Sequence, residues 1–355
     1  MINKSMNLMG KEIISMKNMT NMGSRFKEAR QKQEEQGMDI KRIWIFLFVT
    51  FALSYAVEIF MIMPLAGSAD EQSALIAQLL KAGVMFFPSF GVIVTRMVTK
   101  ETFVGNSMMI NLKLKGNLRY YALAWFGIAG LIVFGAAVYF LISPSKFDPQ
   151  MGYAKLLLSG QLQGTGQTIT DETVRQAVLM QVLMGIFLSP FANLLNCFGE
   201  EWGWRGYLLP KMMNQFKIVP ALLISGVIWG IWHIPLIIMG HNYGVGYRGY
   251  PVVGILAMCV FCTVMGIILS YMTIKTGSCI PAVMGHGMMN GFAAAGLMFT
   301  SLENPFNVFV GPMPVGLIGG SGFILVAAYL LYRLYQQEKE GSIKIYEPLI
   351  EKKRK

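Results

Sequence analysis

Eight long apolar stretches, at about 43–66, 74–97, 119–143, 176–198, 218–239, 251–273, 279–299 and 313–334, limit what this chain can fold into. A helix needs about 20 apolar residues to cross the hydrocarbon of a bilayer. Within hydrocarbon every backbone N–H and C=O must find its partner inside the chain, which restricts spanning structures to helices and closed barrels. The stretches reach that length and so predict membrane-spanning helices. The expected fold is all-α, a polytopic membrane helix bundle of about eight transmembrane helices. Charged residues make up 14% of the chain, against about a quarter in soluble domains, which excludes a soluble globular fold.

A net charge of +11 would suit a nucleic-acid binder, but the cations do not form one patch. They fall in the tails and in alternate loops, the distribution that orients membrane proteins. With the N-terminus in the cytoplasm, inside segments hold Arg96, Lys100, Lys113, Lys115 and Arg119, then Arg205, Lys211 and Lys217, then Lys275. Outside segments hold Lys146, Lys155, Arg175 and Arg248. This predicts an N-in, C-in orientation, membrane lipid as a partner and no nucleic acid. The organisation expected is a polar, basic cytoplasmic segment over 1–42, a transmembrane bundle over 43–334 and a basic cytoplasmic tail over 335–355. The basic stretches 25–32 and 352–355 would lie near anionic lipid. The first 40 residues are polar and rich in Met and Lys, so the first apolar helix is expected to serve as the insertion signal. The polar loop at about 144–175 is expected to carry a short surface helix at 151–159.

No internal repeat is visible, which argues against an inverted-repeat transporter. Gly226-x-x-x-Gly230 and Gly287-x-x-x-Gly291 have the small-residue spacing of closely packed helices. Cys197, Cys259, Cys262 and Cys279 lie in or beside apolar stretches with no second pair to complete a zinc site, and read as inert core thiols.

Against this background the polar residues stand out. The segment 199–210, GEEWGWRGYLLP, holds Glu200, Glu201 and Arg205. The fourth stretch is expected to continue helically into it, with Pro190 as a kink. Glu201 and Arg205 are four apart and share a helix face, so they can pair. Glu200 is rotated by about 100° and points elsewhere. His233 is expected deep in the fifth helix, one turn after Trp229, and His286 and Asn290 share a face of the seventh. His241 is expected to be solvated in a loop, and Glu58 and Lys81 to be structural residues toward the outer ends of the first two helices. Polar and ionisable side chains at membrane depth are costly unless paired or hydrated, so these two Glu, one Arg, two His and one Asn from three stretches are expected to converge on one wet cavity.

A carboxylate and a histidine can activate water as a general base. A second histidine with an amide can donate hydrogen bonds to a developing oxyanion. These parts suffice to hydrolyse an acyl bond without a Ser or Cys nucleophile. Two histidines and a glutamate are also a ligand set for zinc, although the spacing is not that of a His-Glu-x-x-His helix.

The motifs Glu200-Glu201-x-x-x-Arg205, Trp229-x-x-x-His233 and His286-x-x-x-Asn290, in that order, with Gly206 after the arginine and Pro281 ahead of the third, resemble the CPBP intramembrane peptidases. That family includes the type II CAAX prenyl endopeptidases and bacterial bacteriocin-processing and self-immunity proteins. The resemblance covers about 175–295; Trp229 departs from the Phe usual there. It implies an intramembrane endopeptidase in which Glu200 activates water shared with His233. His286 and Asn290 would stabilise the oxyanion, and Glu201 and Arg205 would orient and charge-balance the site. No cofactor is favoured; the metal-dependent alternative is zinc on Glu200, His233 and His286. The implied partner is a membrane-tethered peptide or protein substrate reached from the cytoplasmic side; the Met- and Lys-rich composition suggests a bacterial chain and so a bacterial plasma membrane. The alternative is a non-catalytic scaffold, immunity protein or transporter on the same fold.

Overall fold

The protein, as a computed structural model, is described over residues 34, 36–68, 70–162 and 168–343; it is helical, with no strand among the described residues. The basic stretches 25–32 and 352–355 lie outside the described residues. In chain order the helices are α1 (Gln36–Ala66), α2 (Glu71–Thr99), α3 (Leu118–Ile142), α4 (Gly152–Gln161), α5 (Asp171–Ala192), α6 (194–215), α7 (Ile218–Trp232), α8 (Val252–Thr276), α9 (Ile280–Phe292) and α10 (Ser321–Lys339). Among the described residues α1, α2, α3, α5 and α8 are long and apolar enough to cross a membrane. Large side chains such as Phe48, Phe60, Leu141, Leu195 and Leu256 stand exposed on the bundle, as a lipid-facing surface requires. This is a multi-pass helical membrane protein.

The other expected spans are built differently. α7 is apolar but only 15 residues long, and α9 ends at Phe292 and gives way to a 3-10 turn, Ala293–Phe299. The last stretch becomes helical only at Ser321, because 312–320 carries Pro312, Pro314, Gly316, Gly319 and Gly320. α1 starts well before 43 and α10 runs to Lys339, so helix enters both segments expected to be polar tails. The surface helix expected at 151–159 is α4.

Prolines decide where two helices stop. Pro190 has no N–H to return to the carbonyl of Ile186, and the Trp125 indole N–H of α3 donates to that oxygen at 2.6 Å. Three residues on, Asn193 leaves helical geometry and its Nδ2 donates to Ser189 O at 3.0 Å and Gly287 O at 3.3 Å. The fourth stretch therefore does not run through the motif, which sits on the separate helix α6. Pro235 likewise cannot bond the carbonyl of Ile231, and the Tyr55 hydroxyl of α1 donates there at 2.7 Å. α7 ends at Trp232, so His233 occupies a helix break and not a helix interior.

Close helix approach follows the small residues. A Cβ built on Gly226 or Gly230 would stand 2.5 Å from the Cα of Thr263 or Cys259 on α8, so α7 and α8 touch backbone to backbone. Gly287 and Gly291 let α9 meet Ser189, Pro190 and Asn193 at the end of α5 in the same way. At the start of α7, Ile218 N–H donates to Glu338 of α10, and the ends of α1, α2 and α6 gather around Glu101. His233 lies at the opposite end of α7.

Candidate active site

The site starts with how α6 is held. It comprises Leu194–Glu201, a π-helical turn Trp202–Leu208 and Leu209–Gln215; π-turns of this kind are frequent at functional sites. Its first half lies hard against the interruption of α2 at Met85 and Phe86, where a Cβ on Gly199 would meet Met85 O at 2.6 Å. Ser89 Oγ donates to Gly199 O at 2.7 Å, Asn196 Nδ2 to Ala82 O at 3.0 Å and Trp202 Nε1 to Met108 O at 3.0 Å. The helix bearing both glutamates is thus fixed along one side.

Glu201 is completely buried. Its Oε1 accepts from Arg205 Nη1 at 2.8 Å, the i, i+4 pair expected from spacing, and lies 2.9 Å from His286 Nδ1. An oxygen receiving a guanidinium is an acceptor, so Nδ1 of His286 carries the proton and Nε2 is left for other partners. Arg205, counted above among the inside cations, is buried and spent on Glu201, and does not act as a loop charge. Glu200 points away from Glu201, as its rotation requires, and its Oε2 accepts from Trp229 Nε1 at 2.9 Å.

His233 Nδ1 lies 2.8 Å from the carbonyl of Trp229. A carbonyl only accepts, so Nδ1 again bears the proton and Nε2 holds the lone pair. Cys262 Sγ is 3.9 Å from the same nitrogen. The Trp229 ring stands edge-to-face with His286 at 5.3 Å between centroids and 5.9 Å from His233, with the Arg205 guanidinium carbon 4.1 Å from its centroid. Glu200, Glu201, Arg205, His233 and His286 are thereby linked around one indole, and all are buried. Asn290 is different: it is exposed, and its Nδ2 points to Cys197 Sγ at 3.6 Å.

Two residues read as bland lie close to this chemistry or are buried. His241 is exposed, as expected, yet its ring lies parallel to that of His233, 6.4 Å between centroids. Glu58 sits in a π-helical turn of α1, fully buried, with neither oxygen hydrogen-bonded among the described residues. Trp229 was legible as an aromatic neighbour of His233, but nothing in the spacing showed its N–H reaching Glu200. Among the described residues no three His, Cys, Asp or Glu side chains stand together as a metal-binding set.

Residues 163–292 match the family model described as Type II CAAX prenyl endopeptidase Rce1-like. Over 101 residues the chain is 31% identical to CAAX prenyl protease 2 of Methanococcus maripaludis, covering 28% of this chain and 37% of that protein. The matched stretch contains Glu200, Glu201, Arg205, Trp229, His233, His286 and Asn290, whereas α1, α2, α3 and α10 lie outside it. Residues 163–292 of this membrane protein are thus similar to the Rce1-like type II CAAX prenyl endopeptidases, and the chain spans little more than a third of the length of the curated relative it matches.

Proposed function

We propose that the protein is an intramembrane endopeptidase of the plasma membrane that hydrolyses membrane-tethered peptides with water activated by Glu200. The observation that carries this reading is the unequal use of two adjacent buried carboxylates. Glu201 is committed to Arg205 and His286, whereas Glu200 holds a single neutral donor, Trp229. A carboxylate held by a cation keeps its charge and orients its neighbours, while one held by a neutral N–H remains available to take a proton.

In this mechanism Glu200 removes a proton from water, with the His233 Nε2 lone pair as a second acceptor for that water. The water oxygen bonds to the peptide carbonyl carbon, and the carbonyl π electrons move onto oxygen. The resulting oxyanion is met by His286, through the nitrogen turned away from Glu201, and by the exposed amide of Asn290. Collapse re-forms the carbonyl and breaks the C–N bond, and Glu200 delivers its proton to the leaving amine. Water and amide become acid and amine, with every proton returned. Catalysis by Glu200 needs no metal ligand from the chain.

Glu200→Gln tests this reading. In the purified full-length protein, with a fluorogenic membrane-anchored peptide, the substitution is expected to lower kcat by about 10²–10⁴-fold, the usual worth of a positioned base. Cleavage at the parental rate would overturn the assignment and leave a binding or scaffold role for the same fold.

A further inference from the structure

Trp229 makes four separate contacts with the groups that carry the proposed chemistry. Its indole N–H donates to Glu200 Oε2 at 2.9 Å, and its carbonyl is 2.8 Å from His233 Nδ1. One ring face carries the Arg205 guanidinium at 4.1 Å, and His286 meets the ring at 5.3 Å and a steep angle. The side chain is buried, and Gly230, the next residue, presses α7 onto α8. The indole therefore cannot rotate without giving up its contacts to Glu200, Arg205 and His286 together, while the backbone carbonyl holds His233 independently.

From this arrangement we propose that Trp229 is a positioning residue for hydrolysis: its N–H fixes Glu200 by Oε2, and its carbonyl fixes the tautomer and direction of His233. The inference rests on the reading of Glu200 as the base. It goes further in assigning the proton-accepting atom, because Oε2 is occupied by the indole and Oε1 is the oxygen turned to water. An indole N–H suits the task chemically, since it donates only and cannot compete for the proton. Volume alone would be supplied by any large side chain at this place; the N–H and its direction would not.

Trp229→Phe keeps an aromatic ring and removes the donor. The charged groups around Glu200 are Glu201 and Arg205 on its own helix, His233 after α7, His286 of α9 and Glu58 of α1, and the substitution leaves all of them in place. We expect kcat to fall about tenfold with KM within about twofold, since one hydrogen bond to a charged group is lost. The acidic limb of the kcat–pH profile should move upward by about one pH unit, because that donor favours the ionised base. A variant that lowers only thermal stability, with kcat and the acidic limb unmoved, would show a packing role and overturn the proposal.

A readout independent of turnover tests the same contact. The chain has six tryptophans, and the Trp229 indole N–H resonance of protein labelled with 15N-tryptophan is identified by its loss in Trp229→Phe. In Glu200→Gln that resonance should shift; an unmoved resonance overturns the proposal even if peptidase activity is found. A shifted resonance in a protein that cleaves nothing would support the contact and place the failure in the peptidase reading instead. Should Trp229→Phe fail to fold, the resonance is assigned by elimination from Trp→Phe variants of the other five tryptophans, and its shift or constancy in Glu200→Gln decides the proposal.

Discussion

Glu201 in the site and Glu101 at the far end of α7 are carboxylates with cations at hydrogen-bond distance, the first completely buried and the second half-buried, and they differ in what they leave unused. Glu101 spends both oxygens: Oε2 receives Tyr207 at 2.5 Å, and Oε1 meets Lys211 at 2.9 Å and Arg42 at 3.4 Å. Glu201 concentrates Arg205 and His286 on Oε1, and its Oε2 has no partner among the described residues. Beside it Glu200 has a single neutral donor. A saturated carboxylate fastens helix ends. An unsaturated pair, held in place by packing and by its neighbours, keeps acceptor capacity for a reaction, which is costly at this depth and unexplained by stability alone.

The sharpest way to break this contrast is to remove one cation from each cluster. Arg205→Met leaves Glu201 buried with only His286 against it, and should destabilise the protein by about 3–5 kcal/mol, the cost of an uncompensated buried charge. Lys211→Met leaves Glu101 with Tyr207 and Arg42 and should cost clearly less. Thermal midpoints in one detergent and buffer decide it. Equal losses for the two variants would mean that saturation does not distinguish the clusters.

The contrast also explains how far the sequence could be read. Hydrocarbon penalises charge so heavily that Glu200, Glu201, Arg205, His233 and His286 announce themselves in apolar stretches, and the i, i+4 rule is enough to pair Glu201 with Arg205. Where helices end was less legible. The breaks at Asn193 and His233 depend on Trp125 and Tyr55 donating to the carbonyls that Pro190 and Pro235 abandon, and those donors are distant in sequence. The same limit hid Glu58, whose burial depends on how α1 packs, and made Arg205 count as a loop cation. The N–H of Trp229 escaped notice because spacing shows which side chains share a face but not where a ring edge points.

Glu101 allows a pH test of the saturated cluster. Burial opposes ionisation of its carboxyl, but Lys211, the Tyr207 hydroxyl and Arg42 outweigh burial and hold it below the ordinary carboxylate value. Its contribution to stability is therefore complete above that ordinary value and disappears as pH falls through the lowered one. Glu101→Gln should cost about 2 kcal/mol at neutral pH, in line with hydrogen bonds to a charged group, and the difference from the parent should shrink as pH drops into the acid range. A difference that stays constant across that range would show that the cluster acts through shape and not through charge.

The smallest effect is expected where the geometry is just as good and burial is missing. Lys155 Nζ and Asp171 Oδ1 stand 3.0 Å apart, almost the separation of the buried pairs, but with side chains 46% and 61% exposed. Water screens such a pair and ordering two mobile side chains offsets what attraction remains. Lys155→Met should leave the thermal midpoint within experimental scatter and peptide cleavage unchanged. A loss comparable to that of Lys211→Met would show that ion-pair distance governs these clusters, and the distinction between Glu201 and Glu101 would have to be sought in contact length instead of in burial and unused acceptor capacity.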